Sequence, residues 1–375
     1  MFKILKKHSK SKARLGLIKT SHGVIHTPAF FPVATKATVK TLTPEDIKKI
    51  GFEAILSNTY HLYLQPGHKV VKKLGGLHKF MNWQGPVATD SGGYQVFSLG
   101  FGLEHKVGKV IKDGENKQEK TQKAKLAKID NDGVNFTSHL DGSLHRFTPE
   151  SSIKIQEDLG ADIIFTFDEC TSPLADYNYT KRSMKRTHNW AERCLKQKKK
   201  NNQLLFGIVQ GGLFKDLRQE SAKFIGSLPF DGFGIGGSFG KKEMKNALDW
   251  IIPYLPENKP RHLLGIGYLD DIKEAVSRGI DLFDCVYPTR LARHGVFLTD
   301  KGELKILRAQ YKTDKKPIMR NCSCYVCQNY TRAYLHHLFK AKEILGYRLA
   351  TLHNLWFMFQ YMEEIRKNIK NNKEI

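Results

Sequence analysis

Eight short apolar runs recur along the chain: FFPVAT (30–35), AILSNT (54–59), PVATD (86–90), DIIFTFD (162–168), LLFGIVQ (204–210), GFGIGG (232–237), HLLGIG (262–267) and DLFDCV (281–286). Each is followed by a helical pattern or a loop, the rhythm of β/α units. Capping signals frame the helices between them. TPEDIKKIG offers Thr43 as cap, Pro44 in the first turn and Gly51 as stop, and TPESSIKIQEDLG repeats the device from Thr148 to Gly160. LDDIKEAVSRG places an aspartate cap near Asp270. Eight strands in series fit a closed (β/α)8 barrel or an open doubly wound sheet. The polar residues favour the barrel. Asp90, Asp168, Gln210, Gly236, Gly237 and Asp284 fall at or near the C-terminal ends of different runs. A barrel gathers those ends around one mouth, whereas an open sheet spreads them along a crevice.

One run is anomalous. DLFDCV reads like a buried strand, yet Asp284 sits within it, and an ionised carboxylate in a dry core is costly unless compensated. Arg290 and Arg293 follow closely. The carboxylate either pairs with one of them to support the fold or works at the mouth.

Charge enlarges the picture. Sixty-one Lys and Arg against 37 Asp and Glu give +24, an excess that favours polyanionic partners, nucleic acid above all. The competing reading is lysine spread over every surface. Residues 104–132, with eight lysines and six acids, read as a solvated excursion, and KQKKK (196–200) as a helix end facing water. No apolar run approaches the roughly 20 residues of a membrane span, and the basic N-terminus lacks the features of a secretory signal. The expected location is the cytoplasm, with no membrane partner.

Three of the six cysteines lie in CSCYVC: Cys322, Cys324 and Cys327. With His353 in a helical stretch they make a closed Cys3His set suited to one structural zinc ion per chain, with no position left for water. His336 and His337 are competing ligands, but neighbours on a helix point in different directions. The expected organisation is therefore an α/β chain: an N-terminal segment and (β/α)8 barrel over 1–300, then a zinc-binding C-terminal subdomain with helices over 301–375.

At the mouth, Asp90, Asp168, Gln210 and glycine amides can read the donor and acceptor edge of a purine-like base, with Tyr94 stacked on it. Asp284 can attack a sugar C1′ or steady an oxocarbenium ion. Each also has a structural alternative: Asp90 as a turn cap, Asp168 beside Glu169 answering a nearby lysine, Gln210 as a satisfied core amide, Tyr94 as a packed ring.

Taken together, TDSGGYQVFSL, SHLDGS, FDEC, GIVQGG, HLLGIG, FDCVYPTR and CSCYVC…H resemble bacterial tRNA-guanine transglycosylase, from about Gly16 to the helix after His353. The resemblance implies a zinc-containing TIM barrel, commonly a homodimer. Its members exchange guanine at the tRNA wobble position for 7-aminomethyl-7-deazaguanine, a step toward queuosine, on the tRNAs for aspartate, asparagine, histidine and tyrosine. By resemblance, Asp284 is the nucleophile and Asp90 the general acid and base. Asp168, Gln210 and the Gly237 amide hold the base, with Tyr94 stacked on it. Arg290 and Arg293 face the anticodon, and Cys322, Cys324, Cys327 and His353 bind zinc.

The chain departs from the family pattern in places. GGSFGKKEM puts Ser238 where the family has leucine, with Lys241 and Lys242 ahead of Glu243, and Leu264 stands in for a methionine that covers the base. Cys170 in FDEC is the bacterial form. Two competitors remain at this level: a non-catalytic basic RNA-binding barrel, which predicts a lost Asp90 or Asp284, and a glycosidase acting on free sugars, which leaves the basic C-terminal side unexplained.

Overall fold

The computed structural model describes residues 2–97, 127–199, 202–237 and 240–375. Within it all eight apolar runs contain strands: β1 (Ala29–Pro32), β2 (Ile55–Ser57), β3 (Val87–Thr89), β4 (Ile163–Phe165), β5 (Leu204–Val209), β6 (Gly232–Ile235), β7 (Arg261–Leu263) and β8 (Leu282–Cys285). They pair in parallel in the order β1-β8-β7-β6-β5-β4-β3-β2. A parallel bridge between Val33 and Leu56 brings β1 back to β2 and closes the ring. The ladders are shorter than the runs that predicted them. Asp90, Asp168 and Gln210 lie just beyond β3, β4 and β5, where the chain leaves the ladder and its side chains are free to turn inward at the mouth.

Alternation fills the barrel. Phe31, Val33, Leu56, Ala88, Phe165, Phe206, Ile208 and Leu282 form one inner cluster, while residues on the other strand faces pack against the helices. Those helices begin as their sequences dictate. In α1 (Pro44–Ile50) and α2 (Pro149–Leu159), Thr43 and Thr148 close reciprocal capping boxes, and Gly51 and Gly160 stop the helices in left-handed conformation. The next pattern corrects its expectation. The helix α3 (Leu269–Ser277) is capped by Tyr268 without a side-chain bond, and Asp270 and Asp271 occupy the first turn, where their charge favours the helix N-terminus.

The expected excursion falls largely outside the described residues. Its last part, Ala127–Ile129, is a strand in a three-stranded antiparallel sheet with Val134–Thr137 and Leu144–Phe147. Lys196 and Lys199 face solvent at a helix end, as their pattern predicts. An N-terminal antiparallel sheet lies against the strands' N-terminal ends, where Arg14 reaches Asp281.

Beyond β8, the short helix α4 (Tyr287–Arg293) leads to the hairpin Val296–Thr299 and Gly302–Lys305 and then to the cysteine loop. The final helix, α5 (Ile344–Lys370), belongs to two cores. Leu349 and Ala350 pack with the cysteines, whereas Leu355, Met358, Met362, Ile365 and Ile369 pack with the barrel's outer layer. Among the described residues no helix is long and apolar enough to cross a membrane.

Candidate active site and metal centre

The C-terminal ends of the strands surround a cavity of about 820 Å³. Every mouth residue singled out from the sequence lines it: Asp90, Tyr94, Asp168, Gln210, Gly237, Asp284, Arg290 and Arg293.

Asp90 follows β3 and is held on both oxygens. Oδ1 accepts from the Thr59 amide at 2.7 Å, and Oδ2 from Asn58 Nδ2 at 2.6 Å and Gln95 Nε2 at 2.7 Å. Burial pushes its carboxyl above the ordinary range, against the pull of those three donors, and the charge of Asp284 adds to the rise. It is therefore an orienting constellation around a carboxyl, and not a turn cap.

Asp284, on β8, accepts at Oδ1 from His262 Nε2 at 2.9 Å and from the Gly265 amide at 3.0 Å. His262 is fully buried on the neighbouring β7, wedged edge-on between Phe31 and Phe165. Parallel pairing of β7 with β8 places His262 level with Leu282, so its ring reaches forward to the carboxylate.

Asp168 and Gln210 act as one unit. Asp168 Oδ1 accepts from Ser91 Oγ at 3.0 Å and Oδ2 from Gln210 Nε2 at 2.6 Å. Gln210 is 2% exposed, and its Oε1 has no hydrogen-bond partner among the described residues. A buried carbonyl oxygen of this kind costs about 1–3 kcal/mol unless a ligand donates to it. Gly236 makes the arrangement possible, because a Cβ there would stand 2.3 Å from Gln210 Nε2. Beneath, the buried Arg218 donates to the carbonyls of Val209, Gly212 and Gly236, pinning the loops after β5 and β6. In place of the lysine expected to answer Asp168 and its neighbour, it is an arginine, Arg186, that bonds Glu169.

Tyr94 stands on the helical stretch 93–97 just after Asp90, and burial pushes its phenol up to about 12. The rim is cationic. Arg290 is exposed on α4, Arg293 is half-buried, and Lys40 reaches the same cavity; burial and the charges of Arg293, Lys36 and Arg290 all lower the Lys40 ammonium. Ser238 lies outside the described residues. The Glu243 carboxylate packs over Gly240 at the start of the following helix.

His262, Asn58, Thr59, Gln95, Lys40 and Arg218 were not singled out from the sequence. Three of the motifs contain His262, Gln95 and the Asn58–Thr59 pair, but a polar residue beside a better-marked carboxylate carries no signal of its own. Arg218 has no signal at all, since a basic residue in a helix reads as solvated.

Cys322, Cys324, Cys327 and His353 are all buried, with their ligand atoms within 4.8 Å of one another. Cys324 Sγ and Cys327 Sγ each lie 3.4 Å from His353 Nδ1. Ligands of a tetrahedral zinc stand about 3.5 Å apart, so the set fits that ion. His353 Nε2 donates to the Leu298 carbonyl at 2.9 Å, which leaves Nδ1 to bind the metal. His336 is buried but outside the cluster.

Known proteins resemble this chain along almost its whole length. A family model described as queuine tRNA-ribosyltransferase matches residues 9–374. A queuine tRNA-ribosyltransferase of Natranaerobius thermophilus is 52% identical, covering 97% of this chain and 93% of its own. One from a Thermoanaerobacter species is 51% identical over 99% of this chain and 94% of its own. A putative queuine tRNA-ribosyltransferase of Archaeoglobus fulgidus is 48% identical over 97% and 94%. This chain belongs to the queuine tRNA-ribosyltransferase family.

Proposed function

We propose that this enzyme exchanges guanine at the tRNA wobble position for 7-aminomethyl-7-deazaguanine, through a covalent aspartyl-ribose intermediate, in queuosine biosynthesis. The observation that carries the reading is the pair Asp90 and Asp284, raised from different strands into one cavity whose wall is the Asp168–Gln210 unit.

The base enters with its hydrogen-bonding edge toward Asp168, Gln210 and the Gly237 amide, and its ring on Tyr94. The Gln210 Oε1 atom receives an N–H from it. A carboxylate oxygen of Asp284 then attacks C1′, the C1′–N9 bond breaks, and its electron pair leaves with guanine, which takes a proton from Asp90. The raised carboxyl of Asp90 suits this step, because it keeps a proton to give. After guanine leaves, Asp90 removes a proton from the incoming base, whose N9 displaces Asp284. Two inversions at C1′ retain the β-configuration without a nucleotide cofactor. His262 and the Gly265 amide hold the nucleophile in place, and the short side chain on a strand keeps it within about 3 Å of C1′.

Arg290, Arg293 and Lys40 meet the anticodon, in keeping with the charge of +24. The zinc set takes no part in exchange; when bound, the ion ties the cysteine loop to α5. The same family resemblance supports the acceptors, the tRNAs for aspartate, asparagine, histidine and tyrosine, and a homodimer in the cytoplasm. It also supports 301–375 as the zinc-bearing unit.

The test is to incubate the enzyme with tRNA and a slowly reacting base, denature the mixture, and map the RNA-linked peptide. The expected adduct is on Asp284. An adduct on Asp90, or labelled guanine that never enters tRNA, would overturn the assignment.

A further inference from the structure

The mouth carries an aromatic pair that the reaction above does not use. Tyr268 caps α3 just after β7, and Tyr287 opens α4 just after β8; both line the same cavity as Asp284. Their ring centroids are 4.4 Å apart, tilted by 48°. Tyr287 is partly buried, and its hydroxyl donates to Glu303 Oε1 at 2.8 Å, so the ring beneath is fixed to the hairpin. Tyr268 lies against it and remains 38% exposed. Gly267 lets the two loops meet, since a Cβ there would stand 2.5 Å from Cys285 Cβ and 3.3 Å from Tyr287 Cβ. Three residues along α4 from Tyr287, on the same side of the helix, Arg290 is exposed at the rim.

A large ring left half in water, backed by an anchored second ring, beside an exposed guanidinium, is a surface for a flat aromatic group joined to an anion. An unpaired nucleotide is such a group: its base stacks on the ring, and its phosphate meets the arginine. The base-exchange reading assigns the reacting base to Tyr94 and the Asp168–Gln210 unit, which leaves Tyr268 for another base. We propose that Tyr268, backed by Tyr287, is the stacking platform for the nucleobase adjacent to the reacting nucleoside. The proposal rests on the base-exchange reading. Stacking uses a face that every base possesses, so Tyr268 supplies affinity for RNA and leaves the chemistry at C1′ untouched.

The experiment uses an anticodon stem-loop and incorporation of labelled guanine by the zinc-loaded enzyme. Incorporation by the wild type tests the base-exchange reading alone. Tyr268→Ala is expected to raise KM for the stem-loop roughly 5- to 100-fold with kcat within about twofold of wild type. Zinc content and melting temperature should be unchanged. Tyr268→Phe should restore KM to within about twofold, because the ring and not the hydroxyl is at work. In a second measurement, 2-aminopurine is placed on either side of the reacting nucleoside in two otherwise identical stem-loops. One of the two should be quenched on binding wild type and bright on Tyr268→Ala. An unchanged KM for Tyr268→Ala, a Phe variant as impaired as Ala, or equal fluorescence with both proteins at both positions would overturn the proposal while leaving wild-type exchange intact.

Discussion

Strand β8 is bracketed by two aspartates three residues apart, and they live in different worlds. Asp281, at the N-terminal end of the barrel, is fully buried; Arg14 grips both its oxygens at 2.9 and 2.7 Å, and the Arg261 amide adds a third bond at 2.8 Å. Asp284, at the mouth, is held through Oδ1 by an imidazole and a backbone amide. The β4 run repeats the contrast. Asp162 at the bottom bonds His22, His78 and the Val87 amide, whereas Asp168 at the mouth meets a hydroxyl and a carboxamide. At one end of the barrel a carboxylate is locked into the fold by donors on both oxygens. At the other it is oriented by hydrogen bonds and lines a cavity. Locking a carboxylate into the fold and presenting one to a cavity are separate tasks, and this fold assigns them to opposite ends of the same strands.

The contrast breaks most sharply if the two ends are mutated in parallel. Asp284→Asn should lower exchange by at least about 10⁴-fold while melting within about 2 °C of wild type, because it removes a nucleophile yet keeps an oxygen to accept from His262 and the Gly265 amide. Arg14→Ala should do the reverse. It strands Asp281 in a dry site and should cost about 3–5 kcal/mol of stability in denaturant unfolding, with kcat of the surviving folded enzyme near wild type. Equal loss of stability in both variants would erase the distinction.

His262 sharpens the comparison at intermediate scale. His262→Phe keeps a ring between Phe31 and Phe165 but removes the donor to Asp284 Oδ1. A fall in kcat of about 10- to 100-fold with KM for tRNA unchanged is expected, since the carboxylate loses orientation and the RNA surface is intact. A rise in KM alone would mean that His262 serves binding and not positioning.

The smallest effect concerns Asp90 and pH. Its folded-state carboxyl lies above the ordinary range, chiefly through burial, so folding favours the protonated form. The stability it contributes is complete at acid pH and is lost as pH climbs from the ordinary carboxylate range through the raised value. Asp90→Asn cannot titrate. The difference in melting temperature, variant minus wild type, should therefore grow more positive by about 1–3 °C between about pH 4 and about pH 8. A difference that is flat or falls with pH would show that the three donors outweigh burial.

These contrasts explain what was legible in the sequence. The eight strands were readable because each buries an apolar run, and the mouth carboxylates because a charge at the end of such a run has no packing reason to be there. The zinc set was readable from ligand type and spacing. The partners were not. Asn58 and His262 act on the carboxylates from neighbouring strands, 32 and 22 residues away in the chain, and Gln95 acts from five residues further on, where nothing in the letters says which way an amide points. Arg218 was invisible because its partners are backbone carbonyls, which have no letter. The cap of α3 was misread for a related reason: Asp270 and Asp271 have the right chemistry, but Tyr268 holds the turn, at the place where the chain leaves β7 for the mouth.

The two-core helix α5 gives the metal a lever on the mouth. His353 sits beside Asn354, whose Nδ2 donates to the carbonyls of Pro288 and Val296 and whose Oδ1 accepts from the Leu298 amide. Pro288 is in α4, the helix that carries Arg290 and Arg293. The metal-ligand set and the helix bearing Arg290 and Arg293 are thus adjoining links of one mechanical train. In a cell starved of zinc, the chain would keep Asp90 and Asp284 in place yet loosen the mooring of the helix that carries Arg290 and Arg293. Metal supply would then set how many molecules can take hold of a tRNA, while the chemistry inside each one stays as it was.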